Sequence, residues 1–356
     1  MPDNTEFLER LLNAHGPSGF ETRPAGVWRG EARTFASEVR TDVSGNSVAV
    51  VNPSGSPRVM LAGHIDEIGL QITHIDEDGF LFFDEIGGWD PQVLVGQRVR
   101  ILSKDGTPAG VVGKKPIHLI KSEEREKASK IRDLWVDVGA ASREEVAELG
   151  IRVGDPMVLD AGVLRLANDR IASRAIDNRI GAYVVLETLR LLSEDPGNAC
   201  SMAVATVQEE IGFTGGGARA SAFSLEPDLA LVVDVTFSTD VPDLEKRELG
   251  EHKIGGGPVI SRGSAAHPVV FERLAEVARR EGIPHSYQAA PKATRTDADA
   301  IHLARSGVPT GLVSVPNRYM HSPSELVSLE DLDRTARLLA AFIRALPTEL
   351  DLTPGV

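Results

Sequence analysis

Two adjacent carboxylates, Glu209 and Glu210, close an apolar run and open a glycine-rich turn in the stretch 201–217. The run 202–207 is small and β-branched, the pattern of a strand buried on both faces. In an open α/β sheet, ligands bind just beyond the carboxyl ends of the strands. An acid pair at such an exit, followed by Gly215, Gly216 and Gly217, suits a site; a charged strand exit entering a turn is the competing reading. Residues of the same kind recur. The run 59–62 leads into Gly63-His64-Ile65-Asp66-Glu67, a strand exit that puts a ligand type beside an acid able to orient it. Isolated, that His-x-Asp reads equally as a surface turn. The run 229–235 carries Asp234 near its end, where a carboxylate is costly unless paired or bound to a cation. Asp177 opens a helical stretch, a place the helix dipole alone would favour for an acid. His321 lies just past the apolar run 310–315.

Collected, His64, Asp66, Asp177, Glu209, Glu210, Asp234 and His321 form a nitrogen/oxygen donor set without cysteine. Such a set suits Zn²⁺, Co²⁺ or Mn²⁺. The acids are too many for one zinc. Two cations sharing a bridging carboxylate, about 3.5–4 Å apart, would balance them and make a hydrolytic centre. One carboxylate must then stay free to move the proton from water to the leaving group. The pair Glu209-Glu210 offers one acid for each task.

The elements that must hold these groups follow from the rest of the chain. Its 356 residues suit two domains, or one domain carrying an insertion. A net charge of −14 argues against a nucleic-acid partner. The single cysteine, Cys200, excludes an internal disulfide and a zinc–thiolate cluster, and reads as a small buried hydrophobe. No apolar stretch reaches membrane-spanning length, and the N-terminus lacks a basic region followed by an apolar one, so the expected location is the cytoplasm.

Phe7, Leu8, Leu11 and Leu12 share a face of a first helix that Asn4 or Thr5 is placed to cap. From 70 to about 163 the pattern changes to short β-like runs, with a hairpin turn at Ser103-Lys104-Asp105-Gly106. Ser142 and Glu145 there form a capping-box pattern that Gly150 ends. The stretch 122–130, with Glu123, Glu124, Arg125, Glu126 and Lys127, reads as a solvated loop. After 164 helices and strands alternate: a helix over 175–192, strands at 202–207 and 229–235, a helix over 269–281 and a strand at 285–290. A helix ending near Gly307, a strand at 310–315 and a last helix over 330–346 complete the chain. The Gly255-Gly256-Gly257 turn lacks the spacing of a nucleotide loop.

In PSGFE, AGHIDEIG, GGWDPQVLVGQRV, GVVGKKPIHL, SRAIDNRIGAY, VQEEIGFTGG, VVDVTFSTD, TRTDADAI and MHSPSE, the chain resembles the M42 family of metallo-aminopeptidases. These are relatives of glutamyl aminopeptidase and of the tetrahedral TET peptidases. The resemblance implies a three-layer αβα catalytic domain with a central mixed sheet, 1–69 and 164–356. Within it sits an inserted β-rich, PDZ-like or barrel domain, 70–163, that makes subunit contacts. It also implies roles. Asp177 would bridge two metal ions, His64 and Asp234 would complete one site, and Glu210 and His321 the other. Glu209 would be the general base, and Asp66 would orient His64. The metals would be Zn²⁺ or Co²⁺, with Mn²⁺ a further candidate. The substrates would be peptides, and the assembly a homo-oligomer, from a dimer building block to a tetrahedral dodecamer.

Many members have Asp-Asp where this chain has Asp177-Asn178. Some have been labelled endoglucanases, so a carbohydrate hydrolase is one alternative and a non-catalytic peptide-binding homologue another. For specificity, Arg295 and Arg318 are candidates to pair an acidic side chain, and Asp240 to meet the substrate's α-amine.

Overall fold

The computed structural model describes residues 4–122, 126–212 and 216–355; Glu123, Glu124, Arg125 and Gly215 lie outside the described residues. An eight-stranded mixed sheet forms the larger body. Its strands, in spatial order, are Glu38–Thr41, Ser47–Val51, Cys200–Thr206, Arg58–His64, Leu229–Phe237, Thr310–Asn317, Val259–Arg262 and Ser286–Ala289. The four central strands, Cys200–Thr206 through Thr310–Asn317, run parallel, and antiparallel neighbours flank them. Those four strands are buried almost end to end, which is why their sequences read as unbroken apolar runs.

Side-chain alternation along the strands feeds two separate cores. Ala49, Val51, Leu61 and Ala203 face one side, where helices Thr5–Asn13, Thr22–Ala32, Ile176–Glu194, Pro268–Arg280 and Leu329–Arg344 pack. Val48, Val50, Met60 and Met202 face the other, under helices Gly216–Leu225 and Ala298–Ile301. The result is helix, sheet, helix in three layers. Phe7, Leu8, Leu11 and Leu12 are all buried in the first core, and each such side chain is worth roughly 1.5–3 kcal/mol. The expected cap fails, however. Asn4 makes no capping bond; its amide reaches Glu31 and Glu187 instead.

A third core lies inside a closed six-stranded barrel made from strands between Gly69 and Leu159. The hairpin expected at 103–106 is present as a Ser103↔Gly106 bridge between the antiparallel strands Arg98–Ile101 and Ala109–Lys114. Ser142 caps the helix Arg143–Glu148, but Glu145 reaches back to the N–H of Ala141 rather than that of Ser142. The helix expected to run up to Gly307 is only Ala298–Ile301, because the chain turns repeatedly beyond it. Among the described residues no helix is long and apolar enough to cross a membrane.

The helix Ile176–Glu194 lies unusually close to the sheet. A Cβ on Gly63 would sit 2.5 Å from the carbonyl carbon of Gly181 and 2.7 Å from the nitrogen of Ala182. Only glycine permits that approach, and it brings Asp177 beside His64. Gly63→Ala therefore forces the helix and strand apart. The expected cost is about 1–3 kcal/mol, read as a lower denaturant midpoint at unchanged slope. An unchanged midpoint would show that the helix moves freely.

Candidate active site

The parallel strands end at one edge of the sheet and deliver their terminal residues together. Thr206 pairs with His64, and the register Val232↔Ala62, carried two residues on, sets Asp234 level with His64. Asp234 lies inside its strand, which continues to Phe237. Asp177 arrives from the helix packed beneath. Asp177 and Asn178 are not helical: Asp177 has ψ 108° and the peptide between them is cis. Asp177 is thus no ordinary first-turn acid placed by the helix dipole. Asn178 donates to Val233 O at 2.8 Å and accepts from Gly181 N–H at 3.0 Å.

Asp177 stands at the centre. One of its oxygens is 3.2 Å from His64 Nε2, and the other is 3.5 Å from His321 Nε2. His321 Nε2 also lies 3.3 Å from Glu210. Two groups of donor atoms result, each within 4.8 Å of one another: His64, Asp177 and Asp234, and Asp177, Glu210 and His321. Glu209 belongs to neither, although its carboxylate is 3.7 Å from His64 Nε2.

Behind these groups stands a layer of orienting contacts. Asp66, fully buried, faces His64 Nδ1 at 3.3 Å. It also accepts the Ser18 hydroxyl at 2.6 Å and the N–H groups of Glu209 and Glu210 at 3.3 and 3.2 Å. One carboxylate thus ties the His64 strand to the acid pair. His321 Nδ1 meets the Gly88 carbonyl at 2.7 Å, so Nε2 is the nitrogen that faces the acids and would offer its lone pair to a bound cation. Glu67, next along, is held between Arg174 and Arg179. Burial opposes its charge, but the two guanidinium groups outweigh burial and hold it below the usual glutamate range.

The electrostatics are unbalanced without a cation. Burial, with Asp234, Asp297 and Glu210 nearby, pushes Glu209 up to about 10 despite His64. Burial and the charge of Asp177 also raise Asp234 and Glu210. Burial opposes a charged His321, yet its hydrogen bonds to the Asp177 and Glu210 carboxylates lift it to about 11. Glu210 Oε1 is buried with no hydrogen-bond partner. A crowd of buried acids sharing two histidines, with Glu210 Oε1 and Asp297 Oδ1 both orphaned, fits a pair of divalent cations.

The site opens into a cavity of 1330 Å³, room for a peptide end. Arg219, Lys292 and Arg295 line it, as does Asp297, which accepts the Thr206 hydroxyl at 2.5 Å. Arg219 and Lys292 carried no signal in the sequence, because only the fold turns them toward the site. Asp240 and Arg318 do not line the cavity: they pair with each other at 2.6 Å. That pairing removes Asp240 as the α-amine partner and Arg318 as a free anion binder. Glu325 was visible only as the last residue of MHSPSE. It accepts the N–H groups of both Asp177 and His321, a role no local pattern announces.

Comparison with known proteins agrees with this arrangement. The family model for M42 glutamyl aminopeptidase matches residues 45–338. The lysyl aminopeptidase of Pyrococcus furiosus is 37% identical, over 98% of this chain and 99% of its own. The crystal structure of a TET aminopeptidase from Thaumarchaeota archaeon SCGC AB-539-E09 superposes with a TM-score of 0.91, at 34% identity and 96% coverage of both chains. The TET1 peptidase of Pyrococcus horikoshii, which can assemble into a tetrahedron or a large octahedral shell, superposes with a TM-score of 0.85. Its identity is 30%, covering 96% of this chain and 99% of that one. This chain is an aminopeptidase, and it belongs to the M42 glutamyl aminopeptidase family.

Proposed function

We propose that the chain removes N-terminal residues from peptides with a dinuclear metal centre held by His64, Asp177, Glu210, Asp234 and His321. The observation that carries this reading is the sharing of Asp177 between two donor groups, with Glu209 beside the first and in neither. Zn²⁺ or Co²⁺, with Mn²⁺ a further candidate, would polarise the scissile carbonyl and make the attacking water acidic. Glu209 takes the proton of that water and hands it to the leaving amine. Burial and the neighbouring acids favour protonated Glu209, and two cations would offset that and supply the carboxylate form that a base requires. Asp66 keeps His64 and the backbone of the acid pair in place throughout.

We assign the catalytic domain to 1–69 and 164–356 and the inserted domain to 70–163, with subunit contacts on the latter. Ile117 and Leu119, which are 59% and 66% exposed on the barrel, support a homo-oligomer there. The cytoplasm is the matching location. The two alternatives are not favoured. A non-catalytic peptide binder would lack a donor or base, and all seven positions are filled. A carbohydrate hydrolase gives the two histidines no task.

The test is the initial rate on a panel of aminoacyl-p-nitroanilides, before and after chelation, with each metal added back. Chelation should abolish release and metal should restore it. Full activity in the metal-free protein would overturn the dinuclear reading.

A further inference from the structure

Glu325 begins the strand Glu325–Ser328, which pairs antiparallel with Arg170–Ser173 through Ser173↔Glu325. That register sets it at the end of the segment leading to Asp177. The side chain is only 2% exposed. Its two oxygens do separate jobs: Oε2 accepts the N–H of Asp177 at 2.9 Å, and Oε1 accepts the N–H of His321 at 2.8 Å. Those two residues come from segments far apart in the chain, and both supply donor atoms to the site. His321 also sits at φ 58°, a left-handed conformation uncommon for residues other than glycine. A carboxylate offers a separate oxygen to each N–H; an amide has one oxygen and turns a donor toward the other N–H.

We propose that Glu325 is a positioning residue that locks the bridging Asp177 to His321 through their backbones and so forms the second cation site, made by Asp177, Glu210 and His321. The proposal rests on the dinuclear reading and extends it to a residue that contributes no donor atom to either group. Glu325 governs the spacing between the donor groups, whereas the ligands govern only what each group binds.

The experiment is Co²⁺ titration of the full-length Glu325→Gln and Glu325→Asp proteins beside the native one. Stoichiometry is read by equilibrium dialysis and site geometry by visible absorption. In Glu325→Gln the tighter cation should remain and the weaker should lose about 10–100-fold in affinity, with its absorption band shifted. Glu325→Asp, which keeps both acceptors, should recover part of that loss. A folded Glu325→Gln protein that binds two Co²⁺ ions with native affinities and spectrum would overturn the proposal. So would failure of both variants to fold, because Glu325 would then serve stability alone. A native chain that binds no Co²⁺ would instead overturn the dinuclear reading, and this proposal with it.

Discussion

Glu209→Gln should lose about 10²–10⁴-fold in kcat, the usual contribution of a positioned general base, while still binding two metal ions. In free energy that is about 2.7–5.4 kcal/mol of transition-state stabilisation. The expectation follows from where Glu209 sits. Its carboxylate lies 3.7 Å from His64 Nε2, beside the first donor group and outside both. Glutamine keeps the volume and the contact with the cavity but cannot take a proton. The metal count should therefore hold while turnover collapses, and KM should change little. The check is metal content by mass spectrometry alongside kcat and KM on the best p-nitroanilide substrate. A variant that keeps full turnover sinks the base assignment; one that loses a cation makes Glu209 a ligand instead.

Asp177→Asn should do the opposite, removing metal and turnover together. The two oxygens of Asp177 face different histidines, at 3.2 and 3.5 Å, so one substitution weakens both sites. Asparagine also turns an N–H toward one of the nitrogens that must stay free to bind a cation. The metals' share of transition-state stabilisation is several kcal/mol. A loss of about 4 kcal/mol is about a 10³-fold drop in rate. Stoichiometry should fall from two towards none in dialysis against micromolar Zn²⁺, with the circular dichroism spectrum unchanged. Two cations retained at native affinity would show that Asp177 does not bridge.

Several features were legible locally. The parallel strands announce themselves as unbroken apolar runs because both faces are covered. Asp234 stood out because a carboxylate inside such a run needs a partner. Four of the six barrel strands were visible as short runs between turns, since antiparallel hairpins have local signatures; Gly69–Ile75 and Pro156–Leu159 were not. Helix starts were less secure. Asn4 had the right residue type for a cap, yet Glu31 and Glu187 are better partners, and both come from distant parts of the chain. The helix starting at Ile176 begins with two non-helical residues that no propensity indicates.

By itself, then, the sequence determined the residue types at the strand exits, the order of the elements and the resemblance that names the family. Periodicity and composition are properties of short segments, and they survive without knowing what packs where. Only the tertiary structure decided which acids share a histidine. The separation of Glu209 from Glu210, identical neighbours in sequence, depends on parallel register and on the Gly63–Gly181 contact that brings Asp177 between two histidines. The same holds for Asp66 tying His64 to the acid pair, Arg318 neutralising Asp240, and Glu325 clasping two backbones. Each joins segments far apart in the chain, and a hydrogen bond of about 3 Å is set by packing that no local pattern records.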